Sequence, residues 1–288
     1  MLIRIGYELA YRFPQDTAMI LMLNTHFSRA SDIVVPDQLK THPEIPIRPY
    51  RDSFGNWCSR ILAPAGRITL SSHGIVRDSG LPEVSVKDAE QHAVNDLPEE
   101  ALMFLLGSRY CEVDVMTTTA WNLFGDVKPG WTRVQTICDY VNSHIRFGYH
   151  NARATRTAAE GYAEGVGVCR DFAHLAVTFC RCMNIPARYC TGYLPDIGVP
   201  VVLPMDYAAW FEAYIGGHWH MFDPRNNVPR IGRILMARGR DAADVAISTS
   251  FGPSGLEQFT VICEEAQDAG AALGVAAASG VSNSTSAE

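Results

Sequence analysis

The chain has no long apolar run, no basic stripe and no paired C-x-x-C motif. Its 288 residues carry 24 Lys and Arg against 31 Asp and Glu, a formal charge of −7, and the cations are scattered singly. That excludes a phosphate-tracking surface, so no nucleic acid is expected as a partner. No stretch approaches the roughly 20 apolar residues of a membrane-spanning helix, so no membrane is expected either. The opening MLIRIGYELAYRF alternates apolar and polar residues and lacks the apolar core and small-residue cleavage site of a secretory leader, so a cytoplasmic protein is expected. Cysteines stand at 58, 111, 138, 169, 180, 182, 190 and 263. Cys180 and Cys182 are two apart in a helical pattern and point to different faces, so no zinc site is built and no metal or other cofactor is expected. A cytoplasmic chain keeps its thiols reduced, and most of these read as small apolar core residues.

What is present is 47% apolar residues, enough for one large or two modest domains. Residues 1–88 read as an N-terminal β domain of sandwich type. Ile3, Ile5, Tyr7, Leu9 and Tyr11 keep a period of two, and turn signals recur at Asp52–Asn56 (DSFGN) and Ala63–Gly66 (APAG). Residues 89–128 read as a helical connection, with Pro98 opening a short helix closed by Gly107; SRYCEVD, which follows, has no clear period. From Trp131 the period becomes helical. Trp131, Val134, Ile137, Cys138, Val141 and Ile145 share one face, predicting a helix over 131–146. A loop of small and polar residues then leads to Gly165. A second helix buries Phe172, Leu175, Ala176, Phe179 and Met183 and ends before Pro186. Strands are expected at 187–194, 208–215, 218–222 and 257–263, within a core spanning 129–263. The remainder, 264–288, is small, polar and low in complexity and reads as a flexible tail.

The stretch GVGVCRDFAHLA places Cys169 in the first turn of the second helix. The unpaired N–H groups and the positive end of the dipole there favour an anion, so the thiol pKa is expected to fall. The same groups suit the oxyanion of an attacked carbonyl. A thiolate alone does not complete acyl transfer, which also needs a base and a group to orient it.

DYAAWFEAYIGGHWHMFD supplies a test. Gly216-Gly217 reads as a two-residue hairpin turn, which sets Ile215 opposite His218 and Asp223 opposite Trp210. Asp223 then shares a face with Ala208, Trp210 and Glu212, and a base at 208 would lie diagonally across from it.

GVCRDFAHLAVTFCRCMNIPARYCTGYL followed by DYAAWFEAYIGGHWHMFDPRNN resembles the bacterial transglutaminase-like superfamily, whose core is papain-like. The N-terminal half, with YRDSFGN before a short apolar strand, resembles the β domain preceding that core in many bacterial members. The resemblance covers roughly residues 1–262. It implies an α+β fold, a papain/transglutaminase-like core behind an N-terminal β-sandwich-like domain, and a Cys–His–Asp triad with Cys169 as nucleophile and Asp223 as orienting acid.

The sequence departs from the family at one position. Family members carry histidine before the Ala-Trp of the hairpin; here that position is Ala208. His218 and His220 fall on the face opposite Asp223, His174 projects round its helix away from Cys169, and His144 and His150 flank the end of the preceding helix. Two explanations remain: an engineered change that disables the enzyme, or a natural relative that has lost catalysis. Retention of Cys169 and an aligned Asp223 favours the first.

Around the triad, Trp210, Tyr149 and Asp171 are candidate substrate-binding residues. Each has a plainer role open to it: core packing, a surface tyrosine, and helix N-terminal stabilisation. Glu212 needs a partner on the same face, with Arg170 or Arg188 available. The expected activity is a cysteine-dependent amide hydrolase, a peptidase or amidase working through an acyl-thioester on a peptide or small amide. The alternatives are a transglutaminase that resolves the thioester with an amine, and a non-catalytic binding relative. The loops 151–164 and 195–205 are expected to shape the pocket, and the β domain either builds part of the cleft or provides the surface of a homo-oligomer.

Overall fold

The computed structural model describes residues 1–266. Seven strands come first: β1 (Leu2–Phe13), β2 (Thr17–Leu21), β3 (Ile33–Val35), β4 (Lys40–His42), β5 (Arg48–Arg51), β6 (Trp57–Ala63) and β7 (Gly66–Arg77). The period of two in β1 drives Ile3, Ile5, Tyr7 and Leu9 wholly into the interior. In DSFGN the Asp52 carboxylate accepts the amides of Phe54 (2.9 Å) and Asn56 (2.8 Å), which closes the turn between β5 and β6.

The helices follow as α1 (Glu99–Leu102), α2 (Val113–Phe124), α3 (Trp131–His144), α4 (Ala158–Glu164) and α5 (Cys169–Cys182), with short strands β8 (Arg146–Phe147) and β9 (Val166–Gly167) between them. α2 falls inside the connection expected to be helical, though its own bounds are not legible in the sequence, and α4 differs from the sequence expectation. In α2, three threonines and two valines lower helix propensity and hide the period, but Met116, Ala120 and Phe124 are buried on one face, and that burial decides. α4 occupies the segment expected to be a loop. Its capping box, Thr157 Oγ1 accepting from Glu160 N and Glu160 Oε2 accepting from Thr157 N (3.0 Å), nucleates a helix from small residues.

The last strands are β10 (Ala187–Tyr193), β11 (Ala208–Ile215), β12 (His218–Phe222), β13 (Ile234–Gly239), β14 (Ser248–Ser250) and β15 (Gly255–Glu265). The central sheet runs β12-β11-β10-β13. α5 lies across it and buries Phe172, Leu175 and Phe179 against Phe211, Ala213 and Ile215 on one side and α2 and α3 on the other. Each such side chain contributes about 1.5–3 kcal/mol, so α5 is fixed firmly and its first residue with it.

Two further sheets, β15-β1-β7-β3 with β4 also on β7, and β14-β2-β6-β5, face each other as a sandwich. Both are completed from the C-terminal end of the chain. β15 pairs with β1 from Ile3↔Glu265 to Arg12↔Gly255, and β14 pairs with β2. The 129–263 segment expected as the core is therefore crossed: β15, read as a core strand, is an edge of the N-terminal sheet. A strand's period cannot reveal which sheet it joins. The segment expected to be a flexible tail begins inside β15 at 264–265; 267–288 lies outside the described residues. Tyr193, Tyr207, Ile234 and Met236 of the core share a cluster with Ile3, Ile5 and Tyr7, so the β domain packs directly behind the strands of the candidate site.

Candidate active site

Cys169 is the first residue of α5, after an extended Val168. The Asp171 carboxylate accepts the Val168 amide (2.9 Å) and pairs with Arg156 (3.0 Å), which ties down the helix start. The thiol lines a cavity of about 310 Å³ together with Ala208, Tyr149, Asp206, Arg225 and Asn226. Its pKa does not fall as the helix start alone would dictate. Burial, aided by Asp206, pushes it up to about 11, against the opposing pulls of the Arg225 guanidinium and the Ala209 amide. Desolvation of the thiolate is the largest of these effects.

The hairpin register is the one the glycine pair sets. Gly216 and Gly217 adopt positive φ of 58° and 79°, as a type I′ turn requires. The ladder runs from Ile215↔His218 to Phe211↔Phe222. Ala208 opens β11 opposite Gly192 of β10 and lines the same cavity as Cys169. Position 208 and the thiol thus meet from different elements.

Asp223 follows β12 and is buried. Its Oδ1 accepts the amides of Arg225 (3.1 Å) and Asn226 (3.0 Å). Its Oδ2 accepts Asn226 Nδ2 (2.7 Å) and Arg233 (2.8 Å). Burial alone would raise this carboxyl, but Arg233 and the Asn226 donors outweigh it and hold the pKa below the usual carboxylate value. Asp223 does not reach the cavity of Cys169. Asn226 lies between, lining the cavity and donating to Asp223.

No histidine lines the cavity. His174 is buried between the rings of Tyr110 and Tyr189, its Nε2 accepting the Ala242 amide. His144 stacks on Tyr140 and Tyr162 and contacts the Tyr162 carbonyl at 2.7 Å. His220 packs against Trp131, and His150 sits in an exposed turn.

The match to a transglutaminase-like superfamily core covers residues 118–224, from within α2 to the residue after Asp223. A crystal structure of a provisionally assigned cysteine protease from Cytophaga hutchinsonii superposes with a TM-score of 0.81 at 30% identity, covering 93% of this chain and 91% of that one. The chain belongs to the transglutaminase-like superfamily. An uncharacterized protein of Mycobacterium leprae (strain TN) is 27% identical over 251 residues, 84% of this chain and 88% of that protein.

Within this transglutaminase-like core the remaining candidates separate. Tyr149 is 48% exposed and still lines the cavity. Trp210 is wholly buried beneath the Arg233 guanidinium (4.7 Å) and does not line it. Asp171 is buried behind the helix start and does not line it either. Glu212 takes Arg188 as its partner (2.5 Å), directly across the β10–β11 pair. Of the pocket loops, 195–205 forms the cavity wall and 151–164 does not. Sequence reasoning missed four residues: Asp206, Arg225, Asn226 and Arg233. The first three lay within the hairpin motif, as the DY before β11 and the PRNN after Asp223; Arg233 carried no signal.

Proposed function

We propose that Cys169 is the nucleophile of an amide hydrolase, a peptidase or amidase for a peptide or small amide, with position 208 as its base position. One observation carries this reading: the thiol at the start of α5 and residue 208 line a single cavity, and Asn226 of that cavity donates to Asp223. In the reaction Cys169 Sγ attacks the amide carbon, the C–N bond breaks to give a thioester and a free amine, and water then cleaves the thioester. The thiol proton has to reach the leaving nitrogen, and Ala208 has no group to carry it. The chain as it stands is accordingly impaired in the first step, and an engineered alanine in place of histidine is the reading that keeps a purpose for Cys169 and Asp223. The same thioester would serve a transglutaminase if an amine replaced water.

A second reading, a natural binding relative without catalysis, is favoured by Asp223. Two donors fill each of its oxygens and Arg233 balances its charge, so the carboxylate has no need of an imidazole. The two readings part on Ala208→His. The catalytic reading expects hydrolysis of acyl anilides and short peptides to rise by about 10²–10⁴-fold, the usual contribution of a general base, and to vanish when Cys169→Ala is added. No gain on Ala208→His, in a folded variant, selects the binding relative. Product analysis with a primary amine added separates hydrolysis from amine transfer.

A further inference from the structure

The cavity at Cys169 holds four charged side chains, Asp196, Asp206, Arg225 and Arg230, and they fall into two kinds. Asp196 and Arg230 are paired with each other (2.8 Å). Asp196 also accepts the Val202 amide (2.9 Å), and Arg230 donates to the Pro195 carbonyl (2.9 Å) and Asn226 Oδ1 (3.1 Å). That pair braces the loop forming the cavity wall, and each member is held by the other and by the surrounding backbone.

Asp206 and Arg225 differ. Neither makes an ion pair among the described residues. Asp206 uses Oδ1 on the Tyr207 amide (2.7 Å) and has no bonded partner for Oδ2. The Arg225 guanidinium sits over the Phe147 ring at 4.1 Å, a cation–π contact that uses none of its N–H donors. Both are half-buried, where an unpaired charge is costly. Both line the same cavity as the thiol, where Asp206 opposes its anion and Arg225 favours it. The cavity wall also carries apolar side chains, Leu194, Val199, Pro200 and Val202.

We infer that Asp206 and Arg225 are the two ends of a substrate clamp for a zwitterion, an unblocked short peptide whose ammonium group pairs with Asp206 and whose carboxylate pairs with Arg225, the amide between them lying at Cys169. The cavity volume, at the small end of the range for small-molecule sites of about 300–1,000 Å³, fits a ligand of two or three residues. The clamp has a consequence for the chemistry. An ammonium group on Asp206 cancels the negative charge that opposes the thiolate, so a substrate with a free amine favours ionisation of Cys169 as it binds. The inference names the substrate class for the activity proposed above and rests on that reading only for the role of Cys169.

The test is calorimetric titration of the full chain with alanyl-alanine and its N-acetylated, C-amidated and doubly blocked forms. The unblocked dipeptide should bind, and blocking either end should weaken it by about tenfold or more, as for other close charge pairs. Asp206→Asn should abolish discrimination at the amino end alone, and Arg225→Gln at the carboxyl end alone. Equal binding of blocked and unblocked forms overturns the clamp. So does absence of binding at millimolar dipeptide, and the ligand series on the unaltered chain decides this even if a variant fails to fold. Hydrolysis of blocked amides by the Ala208→His chain without dipeptide discrimination sinks the clamp and keeps the hydrolase. Discriminating binding without turnover does the reverse.

Discussion

Asp223 and Arg233 form a buried ion pair at 2.8 Å, each side chain 2% exposed. Arg233 also bonds Glu83 (2.6 Å) and covers the Trp210 ring, so one guanidinium joins the end of β12, the strand bearing position 208 and the segment after β7. Removing one member of such a pair leaves the other charge buried and uncompensated. Arg233→Met should destabilise the fold by about 3–5 kcal/mol, measured by urea unfolding at neutral pH. A loss under 1 kcal/mol would mean that the pair is not a structural node.

The same carboxylate sets a pH dependence. Arg233 and the Asn226 donors hold its folded pKa below the ordinary carboxylate value, so the native state binds fewer protons than the unfolded chain. Its contribution is fully present above the unfolded pKa and is lost as pH falls through the lower, folded value. Asp223→Asn should therefore be less stable at pH 7 and should show a shallower loss of stability below about pH 4. Parallel acid limbs for the two proteins would contradict the depressed pKa.

Cys169 should alkylate slowly at neutral pH, its rate still climbing toward a midpoint of about 11. The groups acting on it are Asp206, Arg225, Asp223 and the Ala209 amide. An imidazolium introduced by Ala208→His adds a cation beside the sulfur and should bring in a reactive limb well below the free-thiol value of about 8.5. Mass spectrometry assigns the modified cysteine, and superimposable profiles in both chains would separate position 208 from the thiol.

Gly192 faces Ala208 across the β10–β11 pair. A Cβ at 192 would stand 2.1 Å from the Ile234 carbonyl oxygen and 3.0 Å from the Trp210 ring. Gly192→Ala should cost about 1–3 kcal/mol through overpacking, and in an Ala208→His background it should lower turnover by displacing β11. Thermal unfolding and kcat measured together check both.

Asp171 separates a structural from a binding role. Asp171→Asn removes the charged acceptor at the start of α5 and one partner of Arg156, which keeps Glu164 (2.9 Å). The expected loss is about 1–3 kcal/mol, with dipeptide affinity unchanged. A stable variant with weakened affinity would move Asp171 into the binding site.

The sequence by itself determined the local frame of this protein. The glycine pair at 216–217 fixed the hairpin and its register from Phe211↔Phe222 to Ile215↔His218, and the apolar spacing after Cys169 set the thiol at a helix start. Each follows from interactions within a few residues, so each is written in the order of the chain. Tertiary structure decided the rest. It raised the thiol pKa, because desolvation depends on what packs around Cys169 from other elements. It hid Trp210 beneath Arg233 and filled both oxygens of Asp223. It made helices of 113–124 and 158–164, joined β15 to the N-terminal sheet, and brought Asp206 and Arg225 into one cavity with the thiol. Burial and long-range charge are sums over neighbours distant in the chain, and no local pattern encodes them.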